Sequence, residues 1–140
     1  MSVAFVLFRL GERTFASRLD DVREIARLSG LQSLPRTTAP LSGLVLLRGA
    51  PLPVFDIRDD DVTGDGDVLV LDTSEGPIGV AVDKVVAVVA AAELPESGAT
   101  ARTLPPYVVG VRRHGQDVVL LVDVQLLLDA TRAGWDSAVG

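Results

Sequence analysis

The sequence predicts a mainly β protein, a small barrel or sandwich that ends in one short helix. Apolar residues, dominated by valine and leucine, occur in short runs that Gly, Pro and Asp separate, which is the pattern of strands and turns. The runs follow one another at short, fairly even spacing, which favours a barrel or sandwich over alternating βαβ units. A hydrophobic content of 48% over 140 residues is enough to form a core without a disulfide or a metal.

Each apolar run is predicted to form a strand, and the turn residues between runs place the hairpins. Gly11 and Glu12 separate the first two strands, and Gly49 and Gly115 lie at the centres of two further hairpins. In chain order, the predicted strands are Val3–Leu10, Thr14–Ala16, Val45–Leu47, Leu52–Ile57, Val68–Asp72, Ile78–Val82, Val85–Ala90, Tyr107–Val111 and Val118–Val122.

Two segments have helical spacing. Apolar residues three positions apart between Leu19 and Leu28 indicate a short amphipathic helix, although Val22 and Ile25 also suit the edge of a strand. Asp123 is a candidate N-cap for a C-terminal helix over Gln125–Arg132, which Gly134 would end.

The composition excludes several classes of function. A net charge of −6 with scattered basic residues argues against nucleic-acid binding. The chain has no cysteine, which excludes a cysteine nucleophile and fits a reducing cytoplasm. The longest apolar stretch, Val85–Ala92, is shorter than a membrane-spanning helix, so we expect a soluble, cytoplasmic protein.

The candidate catalytic and metal-binding groups are isolated. The single histidine, His114, lies at a predicted hairpin tip without a neighbouring nucleophile, and we expect neither enzyme activity nor a cofactor. The acidic segment Asp59–Asp72 leaves one rival of another class open, an acidic β-barrel that binds a metal or another small ligand.

Arg48 is the unusual residue, because it follows an apolar run and precedes Gly49 in a tight turn. A buried, unpaired charge is costly, so Arg48 either pairs with an acid such as Glu24 or Asp56, or lies at a rim available to a partner. The sequence leaves both interpretations open.

Several segments together resemble the CheW family of chemotaxis coupling proteins, and they cover residues 3 to 129 in order. The matching motifs are Phe5-Val6-Leu7-Phe8, Asp21-Val22-x-Glu24-Ile25, Gly43-Leu44-x-x-Leu47-Arg48-Gly49, Pro53-Val54-x-Asp56-Ile57-Arg58, Gly79-Val80-x-Val82-Asp83-x-Val85-x-x-Val88 and Leu121-x-Asp123-Val124-x-x-Leu127-Leu128.

The resemblance implies a single domain over residues 1–140, made of two interlocked five-stranded OB/SH3-like barrels on a shared core. It also implies a short helical turn and a strand, instead of a helix, near Leu19–Leu28. In function, it implies a non-catalytic adaptor that joins the cytoplasmic hairpin tip of a chemoreceptor to the regulatory domain of a CheA-type histidine kinase. The receptor-binding positions that the resemblance implies lie between the barrels and are Val22, Glu24, Ile25, Arg48, Val82 and Val85.

Two departures from the family pattern bear on the kinase. Leu46 stands where the family usually has asparagine, and the connection between Asp56 and Val68 is short and acidic. These differences leave open a divergent adaptor that binds receptors without recruiting a kinase, as in an accessory member of a Frz-type system.

Overall fold

The computed structural model describes residues 3–28, 41–58, 65–97 and 104–130. It contains ten strands: β1 (Ala4–Leu10), β2 (Arg13–Arg18), β3 (Glu24–Leu28), β4 (Leu41–Leu47), β5 (Ala50–Asp56), β6 (Gly66–Thr73), β7 (Gly76–Val82), β8 (Lys84–Ala90), β9 (Val108–His114) and β10 (Asp117–Val122). Two 3-10 turns cover Leu19–Asp21 and Ala91–Glu93, and helix α1 covers residues 124–130.

The mainly β prediction is confirmed, and every predicted strand overlaps an observed one. The helix expected from periodicity over Leu19–Leu28 is wrong, because that segment forms a 3-10 turn followed by β3. Asp123 caps α1 as predicted, since its Oδ1 accepts a hydrogen bond from the Leu126 amide at 3.0 Å. Arg132, Gly134 and residues 59–64 of the acidic segment lie outside the described residues.

The strands form two five-stranded sheets that share one topology. The first has the order β8-β1-β2-β10-β9 and the second the order β3-β6-β7-β5-β4. Each sheet has one parallel pair, β2 with β10 and β5 with β7, and its other neighbours are antiparallel. Strand β8 therefore occupies in the first sheet the edge position that β3 occupies in the second.

Three apolar clusters show how the sheets pack. One cluster lies inside each sheet, and the third, the shared core, lies between them. In the second sheet, the edge strands β3 and β4 contribute Leu28 and Val45 to the same interior cluster, so this sheet curls into a barrel. The described part of the structure thus has the two small barrels and the common core that the resemblance implies.

Because a strand is pleated, alternate residues of one strand fill a barrel interior and the shared core. Along β6, Val68 and Val70 point into the second barrel, and Leu69 and Leu71 point into the shared core. A strand buried on both faces needs apolar residues at every position, which explains why β6 lacks the usual apolar–polar alternation.

Asp83 fixes the junction between the barrels, because it alone separates β7 from β8. Its amide donates to the Arg9 carbonyl oxygen at 3.1 Å, and its Oδ2 accepts from the Gly11 amide at 2.6 Å. These contacts attach the β1–β2 turn to the junction.

Gly79 is required for packing inside the second barrel. A Cβ at this position would lie 2.7 Å from Val68 Cγ1 and 3.1 Å from Leu52 Cδ2, both in a filled interior. Gly110 in β9 has more room, because its nearest neighbour would be 3.6 Å away.

We predict that Gly79→Ala lowers the free energy of unfolding by about 1–3 kcal/mol, the usual cost of overpacking a core. Urea denaturation measures the change, with Gly110→Ala as the matched control. Equal stability of the two variants would contradict the packing role of Gly79.

Ser17 is a polar residue of the core, fully buried opposite Val6, and its hydroxyl oxygen has no hydrogen-bond partner within the described structure. We predict that Ser17→Ala raises the free energy of unfolding by about 1 kcal/mol, since it removes an unsatisfied buried group. The control is Thr73→Val, which should destabilise, because the Thr73 hydroxyl donates to the Gly76 carbonyl at 2.6 Å. A stability loss in Ser17→Ala would contradict the assignment.

Candidate functional site

Arg48 lies in the turn that joins β4 to β5. Leu47 and Ala50 are paired across the hairpin, so Arg48 and Gly49 alone form the turn. Both have positive φ, 50° and 82°, which is the requirement of a type I′ turn. The turn therefore holds an arginine in a conformation that usually belongs to glycine or asparagine, with 67% of its side chain exposed.

The guanidinium of Arg48 binds Glu24 of β3 with two hydrogen bonds. Nη1 donates to Oε2 at 2.9 Å, and Nη2 donates to Oε1. Since β3 and the β4–β5 hairpin are opposite edges of the second sheet, this ion pair links the two edges of the curled barrel. The intramolecular pairing that the sequence left open is the one observed.

The pair changes the titration of both groups. The hydrogen bond from Arg48 and the positive charges of Arg48 and Arg23 lower the pKa of Glu24 below its usual value of 4.5. The hydrogen bond to Glu24 in turn raises the pKa of Arg48. Asp56, the other candidate partner, instead binds the buried Arg58, whose Nη2 donates to Oδ2 at 2.8 Å.

Strands β3 and β8 bring exposed apolar side chains to the boundary between the barrels. Ile25 pairs across the sheet with Leu69, which belongs to the shared core, so Ile25 lies on the face turned toward the first barrel. Because β3 is an edge strand of the described sheet, Ile25 remains 40% exposed.

On β8, Val85 and Val88 lie opposite Phe8 and Val6, which are both shared-core residues. Two residues three positions apart would normally point to opposite faces of a strand. A bulge in β8 at Val86 places them on the same face, where Val88 is 51% exposed. We call the surface formed by Ile25, Arg27, Val85 and Val88 the β3–β8 surface.

Asp67 holds the two strands of this surface together. Its Oδ2 accepts a hydrogen bond from the Val85 amide at 2.7 Å, and its Oδ1 lies 3.4 Å from Nη1 of Arg27 on β3. The sequence placed Asp67 in the acidic connection between Asp56 and Val68, but Asp67 is a buried residue of β6.

The structure distributes the six predicted binding residues between surface and core. Ile25 and Arg48 are exposed, and Glu24 and Val85 are half-buried. Glu24 lies on the opposite face of β3 from Ile25, where it binds Arg48. Val22 and Val82 are buried in the shared core, where their side chains support the surface from beneath. The assignment of all six as binding residues stays a prediction. The sequence did not predict Val88 or Arg27 as surface residues of this site: Val88 ends a matched motif, but its direction depends on the bulge at Val86, which has no local signal, and Arg27 belongs to no motif.

Among the described residues, surface cavities also lie away from the β3–β8 surface, and two of them are large enough to note. The larger, about 370 Å³, is lined by Arg9, Glu12, Arg13, Thr14, Asp117, Val118 and Leu120, and the other, about 280 Å³, by Asp20, Asp21, Leu71, Asp72, Asp123, Val124 and Gln125. Within the described ranges, no three acidic or histidine side chains form a group that could hold a metal ion. Nor does that part of the chain contain a helix with the length and hydropathy to cross a bilayer.

Two five-stranded sheets around a common core, with apolar side chains exposed on an edge strand of each sheet, define a protein of paired SH3-like barrels. Residues 4–132 match the family model of the CheW-like domain, and the chain belongs to this family of chemotaxis scaffold proteins.

Relatives of known name agree with the family assignment. The chain is 28% identical to a chemotaxis protein CheW of Klebsiella aerogenes over 90% of its own length and 81% of that protein. It is 24% identical to a chemotaxis protein CheW of Treponema pallidum, over 89% of its length and 81% of that protein.

A solved structure has the same fold. The scaffolding protein TtCheW from Thermoanaerobacter tengcongensis superposes with a TM-score of 0.70 at 20% identity, over 89% of this chain and 86% of that one. The resemblance seen in the sequence motifs is thus confirmed for the family and for the fold.

We predict that the Glu24–Arg48 pair stabilises the fold at neutral pH and stops doing so in acid. Because the pKa of Glu24 is lowered in the folded state, the contribution is complete above about pH 4.5 and is lost as the pH falls through the lowered pKa. A double-mutant cycle of Glu24→Gln and Arg48→Gln, measured by urea denaturation at several pH values, gives the coupling free energy between the two side chains.

Glutamine, like arginine, is not β-branched, so it should fit the positive φ of the turn as arginine does, and the cycle isolates the ion pair. Glu75→Gln, in the exposed β6–β7 turn, is the control for the general effect of losing a carboxylate. A coupling that persists unchanged in acid would show that the pair is not an ionic contact.

Proposed function

We propose that this chain is a non-catalytic adaptor that binds the cytoplasmic hairpin tip of a chemoreceptor on the β3–β8 surface and couples it to a CheA-type histidine kinase. The observation that carries the proposal is that two edge strands, linked by the contacts of Asp67 with Arg27 and the Val85 amide, present Ile25, Val85 and Val88 on their faces toward the shared core. Such a surface matches the apolar stripe of an amphipathic helix.

The family assignment supports the receptor as partner, since two relatives are named chemotaxis proteins and a third is named a scaffolding protein. We also propose that residues 1–140 form one domain of two interlocked barrels, that the protein acts in the cytoplasm, and that no cofactor or catalytic step is involved. The metal-binding alternative rests on the sequence of the acidic segment alone. Calorimetry with calcium tests it, and a saturable heat would favour it.

A second form of the function omits the kinase. Leu46 is 68% exposed in β4 and replaces the asparagine usual in the family, so the outer face of the β4–β5 hairpin carries an apolar side chain where the family usually has a polar one. If that face contacts the kinase in the family, this chain would bind receptors alone. Separate binding assays with a receptor hairpin fragment and with a CheA-type regulatory domain decide between the two forms.

We predict that Ile25→Asp and Val88→Asp each weaken binding of a soluble receptor hairpin fragment by roughly tenfold or more, since a charge in a desolvated apolar contact is strongly unfavourable. Both side chains are exposed, so far-UV circular dichroism and the Tm should stay close to those of the wild type. Isothermal titration calorimetry measures the affinity.

The matched control is Val118→Asp, because Val118 of β10 is 59% exposed and lies away from the β3–β8 surface. Wild-type affinity in Ile25→Asp and Val88→Asp would place the receptor elsewhere on the protein. Equal weakening in all three variants would indicate a non-specific effect of charge.

A further inference from the structure

Arg27 is a cation of the β3–β8 surface that forms only a weak ion pair within the described structure. It follows Ile25 by two positions in β3 and therefore lies on the same face. Its side chain is 73% exposed, and its contact among the described residues is the ion pair with Asp67, at 3.4 Å. Charge-assisted hydrogen bonds are normally about 2.7–2.9 Å long, so this one is weak.

Arg48 differs from Arg27 in what it can offer a partner. Two of its donors are held by Glu24, and Glu24 would be left without its cation if Arg48 turned to another carboxylate. Asp67 depends less on Arg27, because its other carboxylate oxygen accepts a hydrogen bond from the Val85 amide at 2.7 Å and would keep it if Arg27 moved away. Arg27 can therefore move to a new acid at little cost to the fold.

On this basis we infer that Arg27 determines partner specificity, by selecting receptor hairpins with a glutamate or aspartate next to the apolar residue that packs on Ile25 and Val88. The inference rests on the proposed function. Charge complementarity supports it: the protein carries a net charge of −6 and repels acidic segments in general, whereas Arg27 places a largely exposed cation on this surface.

The spacing fits a helical partner. Residues two apart in a strand are separated by about 6.6–6.8 Å along the strand, close to the 5.4 Å rise of one helical turn. An apolar residue and an acid three or four positions apart on one helix would thus face Ile25 and Arg27 together.

The test titrates the wild type and Arg27→Glu with the receptor hairpin fragment at low and at physiological ionic strength. Arg27→Glu should weaken binding by about five- to tenfold at low salt, with a smaller effect at higher salt. Arg113→Glu is the matched control, since it makes the same change of charge on β9, at the opposite edge of the first sheet from β8, and should bind like the wild type.

Two further variants make the test specific. Arg27→Gln removes the charge but keeps a donor for Asp67, so it should lose affinity while its Tm stays that of the wild type. In the receptor fragment, replacing the contacting acid by lysine should weaken binding to the wild type and restore binding to Arg27→Glu.

Wild-type affinity in Arg27→Glu, or equal losses in Arg27→Glu and Arg113→Glu, would overturn the role of Arg27. If Val88→Asp still abolished binding in that case, the proposed function would stand without this inference. A wild-type protein that failed to bind the fragment would remove both.

Discussion

The strands that pass through the middle of the molecule are buried on both faces, and this constraint shapes the rest of the structure. In β6, alternate residues fill the second barrel and the shared core, and β1 does the same with Phe5 and Leu7 on one side and Val6 and Phe8 on the other. Neither barrel could expose its outer face to water without exposing half of these side chains. Burial of the shared core therefore holds the two barrels together, at roughly 25 cal/mol per Å² of apolar area removed from water.

The same constraint explains why the apolar surface lies where it does. The shared core ends at the edge strands β3 and β8. Side chains of these strands that point toward the other barrel are therefore only partly covered by other residues. Ile25 and Val88 remain partly exposed for this reason, although their cross-strand neighbours Leu69 and Val6 are fully buried. Since β3 and β8 hold equivalent places in the two sheets, each barrel contributes the corresponding edge.

Much of this fold could be predicted from local sequence, because short apolar runs and turn residues mark strands directly. The segment around Val22 and Ile25 could not, since three-residue spacing suits both a helix and a 3-10 turn followed by a strand, and pairing with β6 decides the outcome. The family motifs predicted Ile25 and Val85 as binding residues, and both lie at the boundary between the barrels. The motifs did not predict Val88 as a binding residue, because its direction depends on a bulge set by pairing with β1.

Charge pairing could be predicted even less, because it depends on which strands are neighbours across the barrel. Glu24 and Arg48 are distant in sequence and meet only because the second sheet curls and brings β3 near the β4–β5 turn. The curl thus commits Arg48 to the protein itself and leaves Arg27 at the surface with a weaker contact. An adaptor can bias a kinase only by binding its two states unequally. In the proposed function, two barrels joined by a shared core suit that role, because a partner bound at their boundary contacts both.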